Sequence, residues 1–271
     1  MNDTLRNALK QLRLSGLLAS LEVRLQEAQS HHLNHVEFLE LIVQDELAVR
    51  SDRLLKRRVK AACFRELKTL EDFDFAFNPA LKKKQVFDLA SGRFVREARD
   101  VLWLGPPGLG KSHLVQAIGY HAIKAGFVVL YRSIFDVVRD FLHDEAVGKE
   151  DKILARYLKP DLLIIDDMGM KQLPKRSGEY LFEIIMRRYE TRSTMMTSNR
   201  PLEDWGKLIG DVPSPGAPGI LDRFLHHAEI IQITGNSYRL RNQARPGNDG
   251  EADSKPAKAP PGSEPEEATQ N

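Results

Sequence analysis

The apolar run Val101-Leu102-Trp103-Leu104 empties into Gly105-Pro106-Pro107-Gly108-Leu109-Gly110-Lys111-Ser112-His113. Gly105, Gly110, Lys111 and Ser112 fit the pattern G-x-x-x-x-G-K-[ST], the Walker A phosphate loop. Such a loop needs a buried strand in front and a helix behind. Leu114, Val115, Ala117 and Ile118 supply the helical apolar pattern that follows. Glycines let successive backbone N–H groups turn toward a polyphosphate, and the helix beginning near Lys111 adds the positive end of its dipole. Residues 105–113 are therefore expected to hold ATP, with Lys111 reaching the β- and γ-phosphates and Ser112 holding Mg2+.

A chain of 271 residues, 42% of them hydrophobic, has material for one sizeable α/β domain and an accessory segment. The polar start Met1-Asn2-Asp3 does not read as a secretory signal, and no apolar run approaches the ~20 residues of a membrane span. A cytoplasmic protein without membrane contact is expected. Cys63, the single cysteine, has no partner for an internal disulfide and no Cys/His neighbours for zinc. His31, His32 and His35 lie close together, but without further ligands they read as solvated loop residues.

Charge is distributed unevenly. Residues 50–68 hold eight cations against two acids, whereas residues 242–271 hold three cations against six acids. Leucines recur at helical spacing from Leu5 to about Gln29, with a break expected at Ser15-Gly16. A longer helix starts near Val36, with Leu39, Val43 and Leu47 on one face. Arg50, Arg53, Arg57 and Lys60 follow at spacings of 3, 4 and 3 residues, so they share one stripe. That stripe suits a nucleic-acid phosphate backbone and suits an ordinary solvated face equally well.

Phe73-Asp74-Phe75-Ala76-Phe77-Asn78-Pro79 alternates as a half-buried extended linker would, and Pro79 disfavours a helix through it. The expected organisation is a helical domain over 1–70, then a linker and entry helix over 71–98. An ATPase domain over 99–241 and a disordered acidic, proline-rich tail over 242–271 complete it. Strands are expected at 101–104, 128–131, 162–165, 194–197 and 230–233, with helical patterns near 134–143, 151–158, 177–191 and 220–227. Continuous apolar strands alternating with helices imply a five-stranded parallel sheet covered on both faces.

Leu162-Leu163-Ile164-Ile165-Asp166-Asp167 is an apolar strand ending in two carboxylates, the form of a Walker B element. At the carboxyl end of a buried strand Asp166 would share Mg2+ with Ser112, and Asp167 would orient or deprotonate the attacking water. By itself the acidic pair also reads as a helix N-cap. Asn199, in Thr197-Ser198-Asn199, either holds that water or makes a turn. Arg223 either reaches a neighbouring subunit's nucleotide or pairs with Asp222, and Arg239 is placed to meet the phosphates of its own subunit.

The order GPPGLGKSH, LLIIDDMG, TSNR, ILDRF and GNSYRLR resembles that of the IstB-like transposition helper ATPases, relatives of the DnaC helicase loaders within the AAA+ group. LRLSGLLASLEVRLQEA and LEDFDF extend the resemblance over about residues 5–241. It implies an AAA+ core with Asn199 as sensor 1, Arg223 as arginine finger and Arg239 as sensor 2. It also implies ATP-dependent homo-oligomers on duplex DNA and delivery of that DNA to a partner transposase. Asp167 stands where many AAA+ proteins have Glu; one methylene shorter, it sets the water differently. No folded helical lid is expected after Arg239. A replicative helicase loader acting on single-stranded DNA, and a nucleotide-binding scaffold without turnover, are the competing readings.

Overall fold

The computed structural model describes residues 3–147, 150–168, 177–201, 204 and 224–241. Five strands form its sheet: β1 (Asp100–Leu104), β2 (Val129–Ser133), β3 (Leu162–Met168), β4 (Ser193–Ser198) and β5 (Ala228–Gln232). Their order is β2-β3-β4-β1-β5, and every pair is parallel. All carboxyl ends therefore lie along one edge. In open parallel sheets that edge is where ligands bind, because the strand-to-helix loops gather there.

Alternation along the strands divides the core in two. Val101, Trp103, Tyr131, Leu162, Ile164 and Met195 face a layer made by α6 (Lys111–Lys124), α4 (Lys83–Ala90) and α5 (Arg93–Arg96). Leu102, Leu104, Leu130, Leu163, Ile165 and Met196 face α7 (Ile134–Val147), α8 (Glu150–Leu158) and α9 (Ser177–Arg188). Both faces are buried, which is why these strands read as unbroken apolar runs. The fold is thus the expected α/β class.

The amino-terminal segment folds as α1 (Asp3–Gln11), α2 (Ser15–His31) and α3 (His35–Ala62). The helical break falls at residues 12–14, just before Ser15-Gly16. Gly16 lies inside the first turn of α2, where a Cβ would come 2.9 Å from Val49 Cβ and 3.0 Å from Glu46 Cα. Its role is the close crossing of α2 over α3. The buried Glu46 carboxylate accepts from Gly16 N–H (2.7 Å) and Leu17 N–H (3.0 Å), capping α2 from a neighbouring helix. Asn34 and Glu37 cap α3 in a reciprocal box.

At 28 residues, α3 is about 42 Å long, and its two halves meet different partners. Ile42 packs with Leu9 and Leu21 in a small cluster of its own, whereas Ala62, Leu55 and Val59 join the core on the α6 side of the sheet. Val36, Leu39, Val43 and Leu47 share a face, as their spacing requires, but that face is exposed. The opposite side of the helix is the one that meets α2.

Residues 70–79 are a run of turns in place of the expected extended segment. Phe75 N–H donates to Phe73 O at 3.1 Å, and the Asp74 carboxylate accepts from Ala76 and Phe77 N–H. The aromatic alternation still turns Phe73 and Phe75 onto the core. The entry helix is broken at Ser91-Gly92, where Gly92 takes a φ of 72°. The region expected as helix at 220–227 is helical at residues 224–227, and its earlier part, like the 242–271 tail, lies outside the described residues.

One buried cation ties strand starts together. Arg188, 1% exposed, donates to the carbonyl oxygens of Tyr157 (3.0 Å), Pro160 (2.9 Å) and Ser193, and to Thr194 Oγ1 (3.1 Å). Burial draws its pKa down to about 10. Arg188→Met would leave these carbonyls unpaired between α8, β3 and β4. We expect a loss of about 3–5 kcal/mol, read as a lower urea midpoint at unchanged slope.

Candidate nucleotide-binding site

The phosphate loop is threaded through a narrow gap at the carboxyl edge of the sheet. Gly105 N–H donates to Ser198 O at 3.2 Å, and Ile233 N–H donates to Leu104 O at 2.7 Å. A Cβ on Gly105 (φ 149°) would lie 2.2 Å from Ile233 O, and one on Gly108 (φ 85°) would lie 2.1 Å from Ser237 Oγ. Both glycines are required by close approach as well as by backbone angle. Gly110 is the N-cap of α6, so the unpaired N–H groups of that helix open onto the loop.

Lys111 is 6% exposed. Its ammonium donates to Gly105 O (2.6 Å) and Pro106 O (2.8 Å), folding back on the loop it follows. Burial lowers its pKa to about 8, partly offset by Asp166 and Asp167. A buried cation whose direct contacts are carbonyl oxygens suits a phosphate site, since an incoming anion adds the charge partner it lacks at contact distance.

Asp166 is fully buried at the end of β3, and three hydroxyls donate to it: Ser112 Oγ at 3.2 Å, Tyr131 OH at 2.6 Å, and Thr197 Oγ1. Burial and the adjacent Asp166 push the Tyr131 phenol pKa upward, so it stays a donor. Asp167 is next in sequence but has a φ of 64°, in the left-handed region. That turn in the backbone sends its carboxylate a different way from that of Asp166, at a cost of about 1–2 kcal/mol. Its N–H donates to Thr197 Oγ1 at 3.0 Å, and its carboxylate pairs with Arg65 at 3.0 Å. Burial and the Asp166 charge raise the Asp167 pKa, while Arg65 and Lys111 oppose them.

A cavity joins these groups. Residues 107–113 form one wall, and Asp167, Asn199 and Arg239 also line it. Gly105 and Pro106, just before this wall in the loop, contribute the carbonyls that hold Lys111. His113 is turned partly aside, with Nε2 2.8 Å from Thr69 O and its ring edge-on to Phe73. Ser112 Oγ and the Asp166 carboxylate make an oxygen donor pair fit for Mg2+, a hard cation. The glycine cradle and the buried ammonium fit a triphosphate.

Several lining residues carry no phosphate-loop or Walker B signature. Phe73, Phe77 and Asn78 come from the turns before α4, and Tyr238 from a 3-10 turn at Tyr238–Leu240. Phe77 and Tyr238 meet edge to face at 5.0 Å, an apolar wall suited to a base. The Phe73-Phe75-Phe77 alternation was the available signal, but period two alone gives no partner. Nothing local marked Tyr131 or Arg65. Arg223 lies outside the described residues.

The α3 cations are exposed but unequal. Arg50 Nε pairs with Glu46 at 2.7 Å, and Arg53 Nη1 donates to Ser15 Oγ at 2.6 Å. Among the described residues, Arg57 and Lys60 have no ion pair. They sit on the last turns of α3, close in sequence to Arg65.

Comparison with known proteins agrees with this geometry. A protein of Geobacillus stearothermophilus named for insertion sequence IS5376 and for ATP binding is 36% identical over 216 residues, which is 80% of this chain and 85% of that one. Its counterpart named for insertion sequence IS21 in Pseudomonas aeruginosa is 35% identical over 239 residues, 88% of this chain and 89% of that one. Among solved structures, AMPPCP-bound DnaA from Aquifex aeolicus superposes with a TM-score of 0.54 at 23% identity, over 66% of this chain and 54% of that one. DnaI gives 0.52 at 21%, over 62% of this chain and 91% of that one. These likenesses give the fold of the parallel-sheet core. The family described as IstB-like ATP binding protein matches residues 7–246, and the chain belongs to that family of insertion-sequence ATP-binding proteins.

Proposed function

We propose that this chain is a Mg2+-dependent ATPase of the cytoplasm that oligomerises on duplex target DNA and delivers that DNA to a partner transposase. The observation that carries the reading is the gathering of Lys111, Ser112, Asp167, Asn199 and Arg239 around one cavity, with Asp166 hydrogen-bonded to Ser112. The relatives' names tie ATP binding to insertion sequences and support the transposition setting.

In this reading the loop N–H groups and Lys111 bind the β- and γ-phosphates, and Ser112 with Asp166 would hold Mg2+, which when bound neutralises phosphate charge. Tyr131 and Thr197 fix the Asp166 carboxylate. Asp167 accepts a proton from the attacking water while the water oxygen bonds to the γ-phosphorus and the bond to the β,γ-bridging oxygen breaks. ADP and inorganic phosphate result. Asn199 orients the water, Arg239 meets charge on the γ-phosphate, and Arg223 serves a neighbouring subunit's nucleotide across an ATP-bearing interface. On the DNA side, the helical domain supplies Arg50, Arg53, Arg57 and Lys60.

Lys111→Ala should weaken ATP binding about 100-fold or more, the loss of a buried charge-assisted contact. Nucleotide titration of the folded variant checks this, and wild-type affinity would remove the phosphate-site assignment. Asp167→Asn should bind ATP within about twofold of wild type yet turn over about 100- to 10,000-fold more slowly, because an amide takes no proton. Wild-type turnover in that variant would assign the water elsewhere, and a wild type with no turnover at all would mark a nucleotide-binding scaffold.

For DNA, Arg57 and Lys60 are the informative pair, since removing Arg50 would also strip the buried Glu46 of its partner. Replacing both by Ala should flatten the slope of log affinity against log salt by up to about 1.8 on duplex DNA. Parallel salt plots would reduce the stripe to a solvated face. Tighter binding to single strands than to duplex would favour the helicase-loader reading.

A further inference from the structure

The ion pair between Arg65 and Asp167 links the basic helix to the acid that handles water. α3 ends at Cys63, which takes the left-handed C-cap conformation (φ 59°, ψ 36°). That turn delivers Phe64 and Arg65 onto the ATPase core. Phe64 wedges against α6 at Gly119, where a Cβ would lie 3.0 Å from the Phe64 ring and 2.8 Å from Ile164 Cδ1. The Phe64 ring also lies 6.0 Å from that of Tyr131. One residue beyond Arg65, Glu66 N–H donates to Gln116 Oε1 at 3.2 Å, and Gln116 Nε2 donates to Ser112 O at 2.9 Å. Residues 63–66 are therefore anchored on both sides.

Arg65 reaches Asp167 from the surface. Its side chain is 50% exposed while that of Asp167 is 19% exposed, so the pair bridges surface and cavity. A carboxylate engaged by a guanidinium has an acceptor oxygen tied up and its direction fixed, both unfavourable for taking a proton from water. A half-exposed pair is also weak enough to exchange for another anion. Arg57, Arg58 and Lys60, none of which has an ion pair among the described residues, lie within one and a half turns of the end of α3. Arg65 follows three residues after the last residue of α3.

We propose that Arg65 is a positioning residue that holds the Asp167 carboxylate away from water in the free protein, and that duplex DNA on the carboxyl end of α3 competes for its guanidinium and releases Asp167. The inference rests on the ATPase reading above. DNA binding would then raise kcat by freeing Asp167 while the phosphate loop and Lys111 stay as they are.

The test is steady-state ATP hydrolysis by the full chain, with and without duplex DNA, for wild type, Arg65→Gln and Arg65→Lys. Duplex should stimulate wild type several-fold. Arg65→Gln should turn over without DNA at a kcat near the stimulated wild-type value, with KM for ATP within about twofold, and duplex should add less than twofold. Arg65→Lys keeps a cation and should retain both the low basal rate and the stimulation. A merely structural role would lower kcat or raise KM in both variants, and that result overturns the proposal. So does an Arg65→Gln protein that matches wild type in both conditions, or a wild type active but indifferent to duplex. Wild type without turnover in either condition defeats the ATPase reading itself, and the inference with it.

Discussion

Gly105 has no room for a side chain, and much of the site follows from that. Its virtual Cβ falls on the carbonyl of Ile233, so the loop passes directly beneath the chain leaving β5 while its N–H is tied to the end of β4. β1 lies between those two strands. The loop thus opens between neighbours whose own ends carry Asn199 on one side and Arg239 on the other. A parallel sheet makes this possible because all its carboxyl ends share an edge, and each buried strand fixes the height at which its last residues emerge.

The two acids at the end of β3 show how a backbone angle divides labour between neighbours. Asp166 continues the strand and is enclosed by hydroxyl donors from α6, β2 and β4. Asp167 takes a left-handed angle that most residues avoid and turns to the cavity and to Arg65. Thr197 serves both, donating to one and accepting from the other's N–H. Strain at such a position persists because the strand before it and the threonine beside it leave little alternative.

α3 belongs to two packing regions. Its first half caps and crosses α2, with Glu46 filling the place of a missing N-cap. Its second half shares the core of the parallel sheet through Leu55, Val59 and Ala62. A rigid helix shared in this way carries displacement from one region to the other more directly than a flexible linker does. The exposed stripe of Val36, Leu39, Val43 and Leu47 lies on the half of α3 remote from the sheet.

The sequence by itself determined the strands, the phosphate loop and the acidic pair, because each is local. Apolar runs mark doubly buried strands, glycines mark backbone angles and close approaches, and an acid after a strand sits at its carboxyl end. The break before α2 was legible to within a few residues for the same reason, whereas the break of the entry helix at Ser91-Gly92 was not. Tertiary structure alone decided what crosses between elements. Phe73 and Phe77, read as an extended linker, became turns facing the cavity opposite residues more than 150 positions later, such as Tyr238. Tyr131 looked like any strand residue until β2 was set beside β3. Arg65 was one cation among eight until the left-handed turn at Cys63 aimed it at Asp167. Local periodicity fixes which face a side chain occupies, but a hydrogen bond or ion pair between distant segments depends on where the packed sheet brings the two ends, and no spacing along the chain encodes that distance.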